Sequence, residues 1–223
     1  MQYRAEATSV EGFVQQIACC YLRHGYWFYV TGVVPKHKDP RAVDEKLVAK
    51  YSIDVSESTR LRRKRAGYAN MQYIRHGRFF VLMATKGRHK FFEEEAGRIR
   101  DIRRIPLVCQ GYTISYRRGG RTRSGEVDPS WHAHVSIERE AYLELKAKLL
   151  QMACGRTNDL ARTFYDIPFE RYAPIRRQLL LLLRQVNDTR RLANLTLVPV
   201  EVLSLQRRVV KPFGVSPRLA RVA

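Results

Sequence analysis

Two histidines are the sharpest chemical feature of this sequence. Trp131-His132-Ala133-His134-Val135 reads as a strand, and residues two apart on a strand project from the same side, so the two imidazoles can share one divalent cation. His132 and His134 would then hold Mg²⁺ or Mn²⁺, the only cofactor the chain suggests, with Glu138 and Glu140 close enough in sequence to complete the set. The same spacing also suits a structural or surface pair. A nucleophile could come from Tyr142, which heads the run Tyr142-Leu-Glu-Leu-Lys146, or from Tyr165.

The second feature is cationic. Lys and Arg number 41 against 21 Asp and Glu, a formal charge of +20. Such an excess repels itself in a compact fold and calls for a polyanion whose phosphates release counterions on binding. The stretch from Thr59 to Thr85 concentrates it: Arg60, Arg62, Arg63, Lys64 and Arg65 lead into two strand-like runs, Tyr68–Arg75 and Arg78–Ala84. Gly77 in the tight link can take the positive φ of a short hairpin. Tyr68, Tyr73, Arg75 and Arg78, with Phe79 and Phe80, would offer stacking faces and phosphate contacts, the alternative being a core hairpin with a solvated basic lead-in. Arg117, Arg118, Arg121 and Arg123 lie in the glycine-rich run RRGGRTRSGEVDPS, and Arg98–Arg104, Arg176, Arg177, Arg190 and Arg191 add further charge on helices.

The elements that must carry these residues follow from periodicity and caps. A helix is expected over Val10–Arg23, then a strand over Tyr26–Val34 and a helix capped by Asp39-Pro40. After the hairpin come a helix over Phe91–Arg104, a strand over Leu107–Arg117, a strand over Trp131–Glu138 and a helix over Arg139–Cys154. This order predicts an α+β fold: a mixed or antiparallel sheet with helices packed on one face, an elaboration of the ferredoxin-like type. Residues 1–156 form that core. Residues 157–223 form a mainly helical extension, with a proline-rich linker, a helix near Ile175–Ala193, a strand pair or extended return over Leu197–Val210, and a basic tail.

Other classes are excluded or weakened. The longest apolar run, Leu179–Leu183, is far short of a membrane span, so no membrane partner is expected. No secretory leader is evident, and Cys19, Cys20, Cys109 and Cys154 lack a C-x-x-C pair, which predicts reduced thiols and a cytoplasmic protein. Walker, dinucleotide, Gly-x-Ser-x-Gly and His-Glu-x-x-His signatures are missing from the sequence.

Two resemblances suggest enzymes. His132-Ala133-His134 resembles the His-hydrophobic-His motif of the HUH endonucleases, with Phe28-Tyr-Val-Thr31 similar to their first strand motif. That resemblance implies single-stranded DNA nicking through a tyrosine, with the histidines orienting the phosphate through a metal. Tyr142, however, follows His134 by only eight residues. The run RRGGRTRSG is similar to the basic glycine-rich loop of small CRISPR repeat-cleaving ribonucleases, which implies metal-free RNA cleavage. The leading expectation remains a nucleic-acid-binding protein for structured RNA or single-stranded DNA or RNA. A divergent nuclease is the second possibility, and the third is a basic structural subunit that meets other proteins in a ribonucleoprotein.

Overall fold

The computed structural model describes residues 3–120 and 124–213. Its elements are α1 (Val10–Gln15), β1 (Phe28–Val33), α2 (Pro40–Lys50), α3 (Glu57–Arg65), β2 (Met71–His76) and β3 (Phe79–Ala84), then α4 (Phe91–Glu94), β4 (Arg100–Asp101), β5 (Leu107–Cys109), β6 (Tyr112–Arg118), β7 (Trp131–Ile137), α5 (Arg139–Gln151), α6 (Thr157–Tyr165) and α7 (Ala173–Leu192). The fold is α+β. One sheet has the order β2-β3-β1-β4 with every pairing antiparallel, and a second has the order β5-β6-β7.

By its contacts the chain separates into two compact units. Unit 1 takes the described residues of Met1–Leu107, Ile114–Ala133 and Val210–Ala223; unit 2 takes Val108–Thr113 and His134–Val209. α5, α6 and α7 all fall in unit 2.

In unit 1 the hairpin forms as its sequence demands. Gly77 has φ +58°, and His76 pairs with Phe79 across a two-residue link. Helices cover both faces of its sheet rather than one. Val30, Met71, Tyr73, Leu82 and Ala84 pack with Tyr51, Ile53 and Phe91, and Leu47 and Val48 of α2 add to that side. The opposite face carries His76 and Phe79, whose rings meet Phe13 of α1 at 6.4 and 6.1 Å. This double cover explains why β3 is buried from Val81 to Ala84 without alternation.

α1 starts where Ser9 accepts a bond from Gly12 N–H, then widens into a π-helical turn over Gln16–Tyr21 and tightens into a 3₁₀ turn over Leu22–His24. Asp39 caps α2 through Arg41 and Ala42 N–H, as its Asp-Pro sequence predicts. The cationic lead-in is a helix. Ser56 caps α3 at Thr59 N–H, and Arg62, Arg63, Lys64 and Arg65 fill its last turn, where cations suit the helix dipole.

Two expected elements are different. The helix over Phe91–Arg104 stops at Glu94, and Arg100–Asp101 becomes a strand paired to Phe28 and Tyr29. The open edge of β1 and the burial of Ile102 outweigh a helical charge pattern with few apolar positions. The strand over Leu107–Arg117 is a hairpin, because Gln110 and Gly111 both take positive φ, at 52° and 77°.

Unit 2 is built on α7, whose buried Ile175, Leu179, Leu182, Leu183 and Val186 form its inner stripe. The expected linker includes a helix, α6, ending at Tyr165. The expected return over Leu197–Val210 contains one 3₁₀ turn, Val200–Leu203, and no strand. Arg190, expected outward, is buried and donates to Ala153 O, Gly155 O, Thr157 Oγ1 and Thr196 O, tying the end of α7 to the α5–α6 link. No helix among the described residues is long and apolar enough to cross a membrane.

Candidate nucleic-acid interface

The residues of the basic hairpin divide sharply between core and surface. Tyr73 is fully buried and donates to Asp44 Oδ1 at 2.5 Å. Arg75, 2 % exposed, grips the same carboxylate through Nε at 2.8 Å and Nη2 at 2.8 Å, and pairs with Glu6 at 3.2 Å. The two carboxylates hold the Arg75 guanidinium protonated well above its ordinary range, Asp44 contributing most. Burial, then the bond to Asp44, pushes the Tyr73 phenol far up. Neither side chain reaches solvent, so both leave the expected nucleic-acid contacts for the core. Arg78 is also structural. Its guanidinium donates to the carbonyls of Val34, Pro35, Lys36 and Lys38 and clamps the loop after β1.

On α3, Arg62, Lys64 and Arg65 are exposed, while Arg60 donates to Ile53 O and Val55 O and Arg63 to Ser52 O. Tyr68, 47 % exposed, lies before β2 with the Arg88 guanidinium 4.8 Å over its ring.

The strongest constellation in unit 1 joins expected arginines to an aromatic row, Trp27, Tyr116 and Trp131, that was not among the expected sites. Arg103 lies 4.3 Å over Trp27; Trp27 stacks on Tyr116 with centroids 6.2 Å apart and planes at 27°; Tyr116 stacks on Trp131 at 5.7 Å and 22°; and Arg118 lies 5.9 Å over Trp131. The backbone sets this spacing. Ile102 N–H donates to Trp27 O, and Ile102 O accepts from Tyr116 N–H, so the backbone of Ile102 bridges the segments that carry these two rings. Trp27 Nε1–H donates to Leu22 O and fixes the indole. Asp101 takes Arg103 through two bonds, at 2.9 and 2.6 Å. Burial alone would raise the Asp101 carboxyl, but the bonds from Arg103 outweigh it and hold the group below its usual range.

The outer end of this ladder is open. Trp131 is 39 % exposed, and Arg117 and Arg118 are both exposed. An exposed indole face beside guanidinium groups can accept a further stacked planar ring. The sequence predicted a strand over Leu107–Arg117 and singled out Arg117 and Arg118. It could not bring Trp27 and Trp131 alongside, because nothing local in their sequence marks the pairing. Arg121 and Arg123 lie outside the described residues.

The histidine motif is only partly free for chemistry. His132 is exposed, and its Nε2 lies 2.7 Å from Asp128 Oδ2. Bonds from Ser130 N–H first, then from His132, keep the Asp128 carboxyl low. His134 follows two residues later and is half-buried. In unit 2, Glu138 caps α5 through Glu140 and Ala141 N–H, Tyr142 is half-buried on α5, and Tyr165 is exposed on α6. No group of three or more His, Cys, Asp or Glu residues placed to hold a metal occurs among the described residues. Arg176 and Arg177 are exposed in the first turns of α7.

Among the described residues, carboxylate ion pairs take up Lys50, Arg75, Arg98, Arg103, Arg162 and Arg191 out of a chain with 41 Lys and Arg. The chain matches no protein-family model, no curated protein and no solved structure.

Proposed function

We propose that this protein binds single-stranded nucleic acid, RNA or DNA, at the Arg103–Trp27–Tyr116–Trp131–Arg118 ladder of unit 1. The observation that carries this reading is the exposed Trp131 end of a stacked aromatic row bounded by guanidinium groups. Stacking tolerates every base and needs unpaired ones, which favours single strands and looped RNA over duplex DNA. Arg117 and Arg118, with the exposed cations of α3, supply phosphate contacts.

The first sheet supports the same reading. We read its connectivity β1-α2-α3-β2-β3-α4-β4 and the order β2-β3-β1-β4 as an elaboration of the ferredoxin-like type, a four-stranded sheet of the kind that single-strand RNA modules use. Here both faces of that sheet are covered, so contact shifts to the aromatic row beyond β4. The test is tryptophan emission during titration with a single-stranded oligonucleotide and with the matching duplex. Saturable quenching by the single strand at lower concentration than by the duplex is expected; unchanged emission at saturation would contradict the ladder as the contact.

A further inference from the structure

We propose that the open edge of β1 in unit 1 takes up an extended acidic segment of a partner protein as an added strand. The site is separate from the ladder and uses different residues. β1 pairs along its whole length, Phe28 to Val33, with β3, whereas β4 pairs only with Phe28 and Tyr29. Trp27 O accepts Ile102 N–H on the β4 side, and Val34 N–H donates to Arg78 O on the β3 side. Backbone groups alternate along a strand, so the N–H and C=O of Thr31 and Val33 also point to the β4 side. No strand among the described residues pairs with them there.

The opposite edge of the same sheet is sealed. Arg75 of β2 donates its N–H to Ala5 O and accepts Ala7 N–H. The Tyr3 hydroxyl donates to Tyr73 O and accepts Tyr73 N–H. Such cover is the rule, because an open edge is a template for pairing with another chain. On β1 the cover is a side chain. The Arg98 guanidinium, 62 % exposed, donates to Thr31 O at 3.3 Å and is shared with Glu95. A long bond from an exposed side chain is one that an incoming backbone N–H can replace.

A groove of about 430 Å³ runs beside this edge, lined by Thr31, Gly97, Arg98, Arg100 and Ile105 among others. No atom lies within 4 Å of where a Gly97 side chain would start, so the groove has room there. Val33 and Ile105 leave apolar surface to solvent, at 66 % and 48 % exposed, for side chains of the added strand. The lining holds two guanidinium groups and no carboxylate, and Arg100 has no carboxylate partner among the described residues. That charge selects an acidic occupant. The alternating donors and acceptors select a peptide, since a phosphodiester offers acceptors to the N–H groups but no donor to Thr31 O or Val33 O. A second copy fits poorly, because β1 itself carries no acid to meet Arg98 and Arg100.

The test titrates the full chain into a labelled decapeptide that alternates glutamate with valine, read by fluorescence anisotropy. Its controls are the lysine counterpart and the glutamate peptide N-methylated along its backbone. The N-methylated peptide keeps the charge and lacks the donors, which separates strand addition from simple attraction of an acid to a basic protein. The glutamate peptide should bind saturably and neither control should. Thr31→Pro removes one outward N–H while sparing the bonds to β3, and should weaken binding about tenfold or more. Gly97→Phe fills the groove at a position without left-handed backbone. It should weaken peptide binding as much and leave oligonucleotide binding as it is. In the complex the Thr31 and Val33 amide hydrogens should exchange more slowly. Equal binding of the N-methylated peptide, or glutamate-peptide binding untouched by Gly97→Phe, would overturn the added strand. So would slowed exchange of those two amides with a single-stranded oligonucleotide and not with the peptide, which would give the edge to nucleic acid.

Discussion

Tyr116 and Trp131 stand on adjacent strands with ring centroids 5.7 Å apart and planes inclined by 22°. Offset stacking of this kind is favourable in itself, worth about 0.5–1.5 kcal/mol beyond the area it buries. Its outer face is left partly to solvent, capped by the Arg118 guanidinium. A side chain of that size and exposure is where a base can join the row.

Trp131→Ala should therefore weaken binding of a single-stranded oligonucleotide by about tenfold or more, since stacking on one ring contributes about 1–3 kcal/mol per base. Electrophoretic or anisotropy titration at fixed salt measures it. Trp131→Phe should recover most of the affinity. Equal affinities for all three proteins would place the bases elsewhere.

The buried pair of Asp44 and Arg75 predicts a stability effect instead. Asp44→Asn leaves the Arg75 charge with Glu6 alone and takes the acceptor charge from Tyr73. Breaking a buried pair by removing one partner costs about 3–5 kcal/mol. Urea denaturation should show a lower midpoint with an unchanged slope. An unaltered midpoint would mean that the network contributes nothing net to the fold.

His89 predicts the direction of a pH effect. Burial, first, and then the neighbouring Arg63 and Lys90 charges lower its pKa, while its Nδ1 accepts Phe91 N–H at 3.1 Å and so must stay unprotonated. The unfolded chain takes up this proton at the ordinary imidazole value and the folded chain only below it. The stabilisation is thus complete above the ordinary value and is lost as pH falls toward the folded one. Between about pH 8 and about pH 5, spanning the ordinary imidazole value, the wild type should lose more stability than His89→Gln. Parallel pH profiles for the two proteins would contradict this.

Local signals in the sequence accounted for local structure. Asp39 and Gly77 marked a helix start and a hairpin because caps and positive φ depend on near neighbours. They could not reveal that Arg75 meets Asp44, since a buried arginine and an exposed one look alike in a basic stretch. The alternating charges of Glu93 to Arg104 suggested a helix until β1 offered Phe28 as a partner for Asp101. The ladder depends on the segment before β1 meeting β6 and β7, and neither Trp27 nor Trp131 announces its neighbour.

The central claim is that phosphates lie across the unpaired cations beside the ladder, and salt dependence tests it most directly. For a single-stranded oligonucleotide, the logarithm of the binding constant should fall linearly with the logarithm of salt concentration. Replacing both Arg117 and Arg118 by Gln should make that slope shallower by about 1.4, about 0.7 for each phosphate no longer neutralised. A shallow wild-type slope, or one untouched by the double substitution, would contradict the account.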